Sequence, residues 1–260
     1  MSCVTGVNRL IGAAGGPSAL VWLGCPAWFD LLSAQDVLRH RGKHAYAAVH
    51  QPLSQLLVDP ASDGGQSRPM DDVPLDALVT RMLAISPFDY RVAVSESERE
   101  VAYRLRGNAV LERGWCTTAD LPGGMERDEY DGRAVQVLGW DGDVAMSAGR
   151  VVLPPGLPTE EACGIVVKPR GAVVDVGRMC VARSHQSLEH AAFIGLMCRL
   201  YLVMREHGFG VACGMMSAPA RVLVGHLGLR LEVLGPERAY WNEPRAPVRF
   251  SLMSGMSPLA

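Results

Sequence analysis

Residues 172–182 read Ala172-Val-Val-Asp-Val-Gly-Arg-Met-Cys-Val-Ala182, an apolar run that carries two charged side chains. The valines predict a strand. A long helix is predicted directly after it, from about Leu188 to His207, and Gly208 would end it. The apolar stripe of this helix is Phe193, Met197, Leu200 and Met204. Because a charge within an apolar strand is costly unless it is paired, Asp175 and Arg178 are the first candidates for a functional role.

The sequence on both sides of this strand continues the alternation of strands and helices. Ser95 and Glu98 form a capping box that opens a helix towards Leu111, with an apolar stripe of Val101, Leu105, Ala109 and Val110. Asp141-Gly142 is typical of a two-residue hairpin turn. The other predicted elements are strands at 90–94, 134–140, 144–153, 211–216, 229–234 and 248–252 and a helix at 219–227. This order predicts an α/β (α+β) fold with a mixed sheet flanked by helices.

The chain divides near Pro87 into two parts of different composition. Residues 1–88 predict a helical N-terminal extension, with helices at 27–40, 43–58 and 73–83 and a linker at 59–69. Its apolar residues are too numerous to lie exposed on a soluble monomer. We therefore expect the extension to pack on the main domain, residues 89–260, rather than on a second subunit or an acyl chain.

Composition and cysteine spacing argue against several classes of function. The formal net charge is −2, with 25 Lys and Arg against 27 Asp and Glu, so no basic footprint indicates nucleic-acid binding. The seven cysteines form no Cys-x-x-Cys pair, and Gly42 interrupts the pair His40 and His44, so we predict no metal site. Residues 10–29 are interrupted by Gly and Pro and lack a basic leader. We therefore expect no membrane span, no signal peptide and a cytoplasmic protein.

Four motifs in one order carry a resemblance to a known family. They are Arg104 before Arg113-Gly-Trp115, the acidic loop Glu126-Arg-Asp-Glu-Tyr-Asp131, Gly149-Arg150, and Asp175-Val-Gly-Arg178. Over residues 87–252 this pattern resembles the GNAT superfamily of N-acyltransferases, and within it the acyl-homoserine-lactone synthases and N-acyl amino acid synthases. The resemblance implies a GNAT-like, mostly antiparallel sheet. Asn108 or Ala109 stands where those synthases carry an aromatic residue, and Asp175 replaces their Glu, which implies a different acceptor pocket.

The resemblance and the residue chemistry together give the candidate site. The substrate-binding candidates are Arg104, Trp115, Asp128, Asp131, Arg150, Val181, Arg183 and Ser217. The catalytic candidates are Asp175, Arg178 and Cys180. Asp128 and Asp131 are expected to form a charge network with Arg104 and Arg150 that holds the acidic loop over a pocket. The alternative is an exposed acidic turn.

The catalytic candidates have different expected roles. Asp175 is the candidate base or acceptor-binding group, and the resemblance implies oxyanion donors among the backbone N–H groups of Cys180–Ala182. Arg178, three residues after Asp175, lies on the opposite strand face unless a bulge brings the two together. Cys180 as a covalent nucleophile is a competing hypothesis, for which the sequence suggests no base.

The segment after this strand bears on the acyl donor. Acetyl-CoA-dependent GNAT enzymes usually carry a glycine-rich loop there, whose N–H groups cradle the pyrophosphate. Residues 181–190 contain no glycine. Arg183 and the helix start suit a single phosphate, which favours a phosphopantetheine-linked acyl thioester on an acyl carrier protein over acyl-CoA, with no tightly bound cofactor. His185 is interpreted as a helix cap, with a catalytic base as the alternative.

These interpretations predict an N-acyltransferase. It would move an acyl group from an acyl-carrier-protein thioester to the amine of a small molecule, either an amino acid or an intermediate of specialised metabolism. The alternatives are an acyl-homoserine-lactone synthase and a catalytically silent GNAT-fold binding module. The joint presence of Arg104, Trp115, Asp128, Asp131, Arg150 and Arg178 argues against the silent module. The oligomeric state is left open.

Overall fold

The computed structural model describes residues 75–226 and 230–251. Its helices are α1 (Leu75–Ile85), α2 (Glu96–Glu112), α3 (Pro158–Cys163), α4 (Glu189–Glu206) and α5 (Ala218–His226). Its strands are β1 (Asp89–Val92), β2 (Ala134–Asp141), β3 (Val144–Val152), β4 (Val173–Val181), β5 (Val211–Met216), β6 (Leu231–Val233), β7 (Arg238–Tyr240) and β8 (Glu243–Ser251). Short 3₁₀ turns lie at Thr118–Asp120, Pro122–Gly124, Asp131–Arg133 and Arg183–Leu188.

The strands form one sheet in the order β1-β2-β3-β4-β5-β8-β6, and β7 pairs with β8 beside it. Neighbouring strands are antiparallel except β4 and β5, which are parallel. The predicted mixed, mostly antiparallel sheet with flanking helices is therefore confirmed. The predicted helices at 27–40 and 43–58 and the linker at 59–69 lie outside the described residues.

Strand β4 is irregular at its centre. On its β3 side, Gly177 pairs with Arg150 and Cys180 with Ala148, so Arg178 and Met179 together face Gly149. This is a β-bulge, and Arg178 has a φ of 54° there. On its other side, β4 pairs with β5 from Val173 to Asp175. Since β4 continues to Val181 and β5 to Met216, the two strands diverge beyond Asp175.

Helix α4 packs across β2, β3 and β4 and forms the largest core with them. Its fully buried face includes Leu196, Leu200, Val203 and Met204. The predicted stripe was therefore partly wrong, since Phe193 and Met197 are only half-buried. The helix is turned so that Gly195 faces Tyr90, whose ring would lie 2.4 Å from a Cβ built at that glycine.

The local signals around α2 and the first hairpin are largely confirmed. Ser95 caps α2 and Glu98 closes the capping box. In the hairpin, Asp141 pairs with Val144, so the central turn residues are Gly142 and Asp143, one position later than predicted. Gly142 has the positive φ, 60°, that such a turn needs.

Helix α1 is the part of the N-terminal extension that the structure describes. Val79 lies in the main core, and Leu75, Met82 and Leu83 pack against it. Asp76 accepts a hydrogen bond from the Tyr201 hydroxyl on α4. Residues 75–85 therefore cover one side of α4. Across residues 75–226 and 230–251, none of the helices combines the length and apolar character needed to cross a membrane.

Candidate functional site

A closed network of buried charges lies between α2, the acidic loop and the sheet. Three carboxylates, Glu126, Asp128 and Asp131, bind three guanidinium groups. These groups belong to Arg106 on α2, Arg150 on β3 and Arg178 on the β4 bulge. The charges are balanced within the network, so their burial does not leave any of them unpaired.

Arg106 anchors the acidic loop to α2. Its Nη1 and Nη2 donate to the two oxygens of Asp131 at 2.7 and 3.0 Å, and its Nε donates to Glu126. Gln136 on β2 adds a hydrogen bond from Nε2 to Asp131 Oδ1 at 2.9 Å. The Arg106 side chain is 2% exposed, which makes this a core interaction rather than a surface pair.

The sheet arginines complete the network from the other side. Arg150 binds Asp128 through both terminal nitrogens, at 2.6 and 2.7 Å, and also reaches Asp131 at 2.7 Å. Arg178 donates to Glu126 and Asp128, at 3.0 Å each, and to the Tyr240 hydroxyl at 2.9 Å. The bulge is what turns the Arg178 side chain towards these partners.

Glycines allow the acidic loop to approach α2 closely. A Cβ built at Gly107 would lie 2.3 Å from the carbonyl oxygen of Gly124. The Glu126 N–H donates to the Tyr103 carbonyl at 3.1 Å, and Arg104 donates to the Gly123 carbonyl at 2.8 Å. The loop backbone is thus held along the helix before its carboxylates reach the network.

The predicted network was correct in Asp128, Asp131 and Arg150 and wrong in Arg104. The Arg104 side chain is 55% exposed and points to the outside of α2. Arg106 takes the place in the network that was predicted for Arg104. It lies on the helix face that also buries Ala102, Ala109 and Val110. The sequence contained a signal for this role. Arg106 lies four residues after Ala102 and three before Ala109, a spacing that places all three on one helix face. Gln136 and Tyr240 were also missed.

Ionisation of the carboxylates is shifted by these partners. Burial alone would raise the pKa values of Asp128 and Asp131, but hydrogen bonds and charges from Arg150 and Arg106 outweigh it and hold both below the ordinary value of 3.8. A carboxylate whose pKa is lower in the folded state than in the unfolded state stabilises the fold. This contribution is complete above the unfolded-state pKa and is lost as the pH falls through the folded-state pKa.

Acid titration should therefore unfold the protein through this network. We expect the melting temperature to be nearly constant from pH 7 to about pH 5 and to fall steeply below about pH 4, as Asp128 and Asp131 become protonated in the unfolded state. Thermal melts followed by circular dichroism in buffers of equal ionic strength test this. Equal stability at pH 7 and pH 3 would contradict it.

Asp175 lies apart from the network although it shares β4 with Arg178. Its side chain is buried, and Oδ2 accepts a hydrogen bond from the Thr159 N–H at 2.8 Å and lies 3.7 Å from Cys213 Sγ. Burial raises the pKa of Asp175, while the Thr159 bonds oppose that rise. The predicted bulge exists, but it pairs Arg178 with Glu126 and Asp128 and not with Asp175.

Cys180 and Val181 are buried near the end of β4. Cys180 packs with Ala102, Ala109 and Ala148, and burial raises the pKa of its thiol to about 11. A thiol in such surroundings is a poor nucleophile at neutral pH. Val181 packs with Phe88, Met146 and Ala192.

The remaining candidates lie around this end of the sheet. A cavity of about 200 Å³ is lined by four residues of α2 (Leu105, Asn108, Ala109 and Glu112) and by residues 181–184, including exposed Arg183. His185 contacts Ser184 at 2.9 Å and Asp141 at 3.4 Å. Ser217 is half-buried directly before α5.

Trp115 lies against the β7–β8 hairpin. Its ring centroid is 6.1 Å from that of Trp241. Within the described ranges, no group of three or more His, Cys, Asp or Glu side chains has the geometry of a metal site.

The comparison with known proteins gives a fold. No family model matches the chain, and no curated protein matches its sequence. Among solved structures, the acyl-homoserine-lactone synthase LasI matches at 15% identity and TM-score 0.55, covering 64% of this chain and 90% of its own. FeeM, an N-acyl amino acid synthase from uncultured soil microbes, matches at 14% identity and TM-score 0.50, covering 64% and 91%. BjaI, a CoA-dependent acyl-homoserine lactone synthase solved with SAM and isopentyl-CoA, matches at 18% identity and TM-score 0.51, covering 62% and 78%.

These likenesses lie at only 14–18% identity, so they show the fold alone. The chain has the GNAT-like fold of these synthases, and the predicted resemblance is confirmed at the level of fold.

Proposed function

We propose that the chain is an N-acyltransferase that moves an acyl group from a thioester donor to the amine of a small molecule. The observation that carries the proposal is the divergence of β4 and β5 beyond Asp175 and Cys213, next to the bulge at Arg178. Diverging parallel strands leave edge N–H and C=O groups between them. An extended arm that contains amide groups, such as pantetheine, can pair with such groups as an added strand.

The chemistry of transfer fits the residues around this cleft. A neutral amine attacks the acyl carbon, the new C–N bond forms, and the C–S bond breaks to release a thiolate. The starting ammonium loses two protons in total, of which the leaving sulfur takes one and solvent takes the other. Asp175 is the proposed group that accepts the first proton, directly or through a water. Backbone N–H groups of Cys180–Ala182 are the proposed donors to the carbonyl oxygen as it gains charge.

The charge network supports this role by fixing the position of Arg178. Three of the guanidinium donors bind Glu126, Asp128 and Tyr240, so the residue at the bulge cannot rotate freely. The bulge backbone beside the proposed thioester position is held with it. In this proposal the network is a rigid support for the site rather than a set of reacting groups.

The test is incubation of the 260-residue chain with acyl thioesters and a panel of amines. We expect an amide product, detected by mass spectrometry, together with release of one thiol for each amide formed. A lactone product formed only with SAM would instead indicate the acyl-homoserine-lactone synthase. If no amine is acylated with any of the donors, the catalytically silent GNAT-fold binding module is the remaining hypothesis.

The acyl donor is proposed to be a carrier-protein thioester. The 3₁₀ turn Arg183–Leu188 contains no glycine, and the first turn of α4 carries Glu189, whose charge opposes a pyrophosphate at that helix start. Exposed Arg183 remains for the single phosphate of phosphopantetheine.

We therefore expect kcat/KM to be at least about tenfold higher with an acyl carrier protein than with the same acyl-CoA, equivalent to about 1.4 kcal/mol. Parallel assays of both donors at equal acyl chain length measure the ratio. Arg183→Ala is expected to raise KM for the carrier-linked donor, whereas Arg170→Ala, another exposed arginine, serves as the control. Equal or better use of acyl-CoA would overturn this choice of donor.

A further inference from the structure

Two buried N–H donors on the β7–β8 hairpin have no hydrogen-bond acceptor among the described residues. They are Nε1 of Trp241 and Nε of Arg245. Burying a donor without an acceptor costs free energy, so native structures rarely keep such groups without a reason. Two of them on one hairpin indicate a place where an oxygen-bearing ligand binds.

The hairpin turn holds Trp241 in a costly conformation. Tyr240 pairs with Glu243, so Trp241 and Asn242 are the central turn residues, with φ values of 53° and 56°. Turns with two positive φ values favour Asn and Gly, and a bulky residue at the first position is strained. Strained residues that persist are concentrated at functional sites. The turn thus holds the Trp241 indole at a fixed place.

That place is a cluster of indole and guanidinium groups beside the β4 bulge. We call Trp115, Trp241, Arg113 and Arg245 the indole–arginine cluster. The Cζ atoms of Arg113 and Arg245 lie 5.1 and 5.0 Å from the Trp115 ring centroid. The Cζ of Arg178 lies 5.0 Å from the Trp241 ring, so the cluster directly adjoins the charge network.

The charges of the cluster favour an anion. Arg178 is already bound by Glu126 and Asp128, and the network is balanced. Arg245 lies outside it, and its Nη2 donates to Glu243, a partly exposed carboxylate, at 3.0 Å. Its Nε–H is left, together with the Trp241 Nε1–H, for a second acceptor. Guanidinium and indole donors beside two aromatic faces suit a carboxylate that is attached to an apolar group.

We propose that the indole–arginine cluster binds the carboxylate of an α-amino acid acceptor, with Arg245 Nε and Trp241 Nε1 as its donors. The indoles of Trp115 and Trp241 cover the acceptor side chain, and the α-amine faces β4. This inference rests on the proposed transfer reaction and names its acceptor class. It makes Arg245 and Trp241 determinants of specificity.

The test compares an amino acid with its own amide. With a saturating acyl thioester, kcat/KM is measured for L-leucine against L-leucinamide and for L-phenylalanine against L-phenylalaninamide. The amide has the lower ammonium pKa and hence more free amine near neutral pH, so intrinsic reactivity favours the amide. We expect the amino acid to be preferred by at least about tenfold. A preference for the amide, or equal use of the two, would overturn the proposal.

Variants test whether residues of the hairpin cause the preference for the amino acid over its amide. Arg245→Gln and Trp241→Phe should each reduce the acid-to-amide ratio at least about fivefold through KM for the acid, with KM for the donor unchanged. Arg249→Gln, on the same strand but bound to Lys168 and Glu232, should keep the wild-type ratio. An unchanged ratio in the first two variants would refute their role.

A binding measurement separates this inference from the reaction. In the absence of donor, L-leucine should quench tryptophan fluorescence of the wild-type chain at lower concentration than L-leucinamide. If that difference is found but no amine is ever acylated, the site stands and the proposed reaction fails. If acylation occurs without any difference between acid and amide in either assay, the reaction stands and the carboxylate site fails.

Discussion

Replacing Arg106 with methionine is expected to lower the free energy of unfolding by about 3–5 kcal/mol. The substitution keeps most of the side-chain volume but removes every donor that holds Asp131 and Glu126 from the α2 side. Both carboxylates stay buried. Asp131 then keeps Arg150, and Glu126 keeps Arg178, as its remaining guanidinium partner. Urea denaturation followed by circular dichroism measures the change, and the variant is expected to unfold at lower urea with little change in slope.

Arg104→Met is the matched control for this change. It lies two residues away on the same helix, with the same side-chain chemistry, but it is mostly exposed and makes surface contacts with Glu100 and Gly123. We expect its cost to stay within about 1 kcal/mol. Equal losses for the two variants would mean that the buried network is not the source of the stability.

Asp175→Asn is expected to lower kcat about 10²-fold while leaving the fold intact. Asparagine has the same shape and can still accept the hydrogen bond from the Thr159 N–H, but it cannot take a proton from the amine. Burial raises the pKa of Asp175, which brings a carboxylate closer to the range useful for a general base. Turnover in the wild type should rise with pH as Asp175 loses its proton, and this ionisation should be missing from the Asp175→Asn profile.

Cys180→Ala separates this base from the covalent alternative. Because the Cys180 thiol is buried among alanines and its pKa is raised to about 11, we expect the alanine variant to keep turnover within about threefold of wild type. Rapid-quench assays of both variants with the same donor give the two rates. Full activity in Asp175→Asn together with inactivity in Cys180→Ala would reverse the assignment.

The sequence was most informative where a local signal and the global fold agreed. Three predictions came from residues that are close in sequence, and each is found in the structure. They are the strand of valines in β4, the capping box at Ser95 and the spacing of the acidic loop. The motif order was enough for the fold because it matches the succession of helix α2, the acidic loop and strands β3 and β4. The acidic loop and Arg150 meet in the way that the charge-network hypothesis expected.

The first two failures share a physical cause, since each concerns a choice made by packing. Arg104 and Arg106 are the same residue type on the same helix and differ only in the helix face on which they lie. The burial of Arg106 requires partners from a distant loop. Period-two counting along β4 could not include the bulge, so it could not find Glu126 and Tyr240 as the partners of Arg178. The predicted strand at 248–252 matches the second half of β8, whereas β7 and the first half of β8 were missed, because Pro244 and Pro247 argue against a strand there.

The short parallel seam between β4 and β5 also affects how the chain unfolds. Three residue pairs join the two strands, while α4 packs on β2, β3 and β4, and α5 packs on β6 and β8. The halves are otherwise joined by the core that Ala212, Val248 and Phe250 share with α4, so opening of β5, β6 and β8 breaks fewer contacts than opening of the whole sheet. An extended donor, bound along both strands as proposed, would couple the halves into one cooperative unit and stabilise them by mass action. In the proposed enzyme, the lifetime of the C-terminal half therefore depends on the supply of acyl thioester.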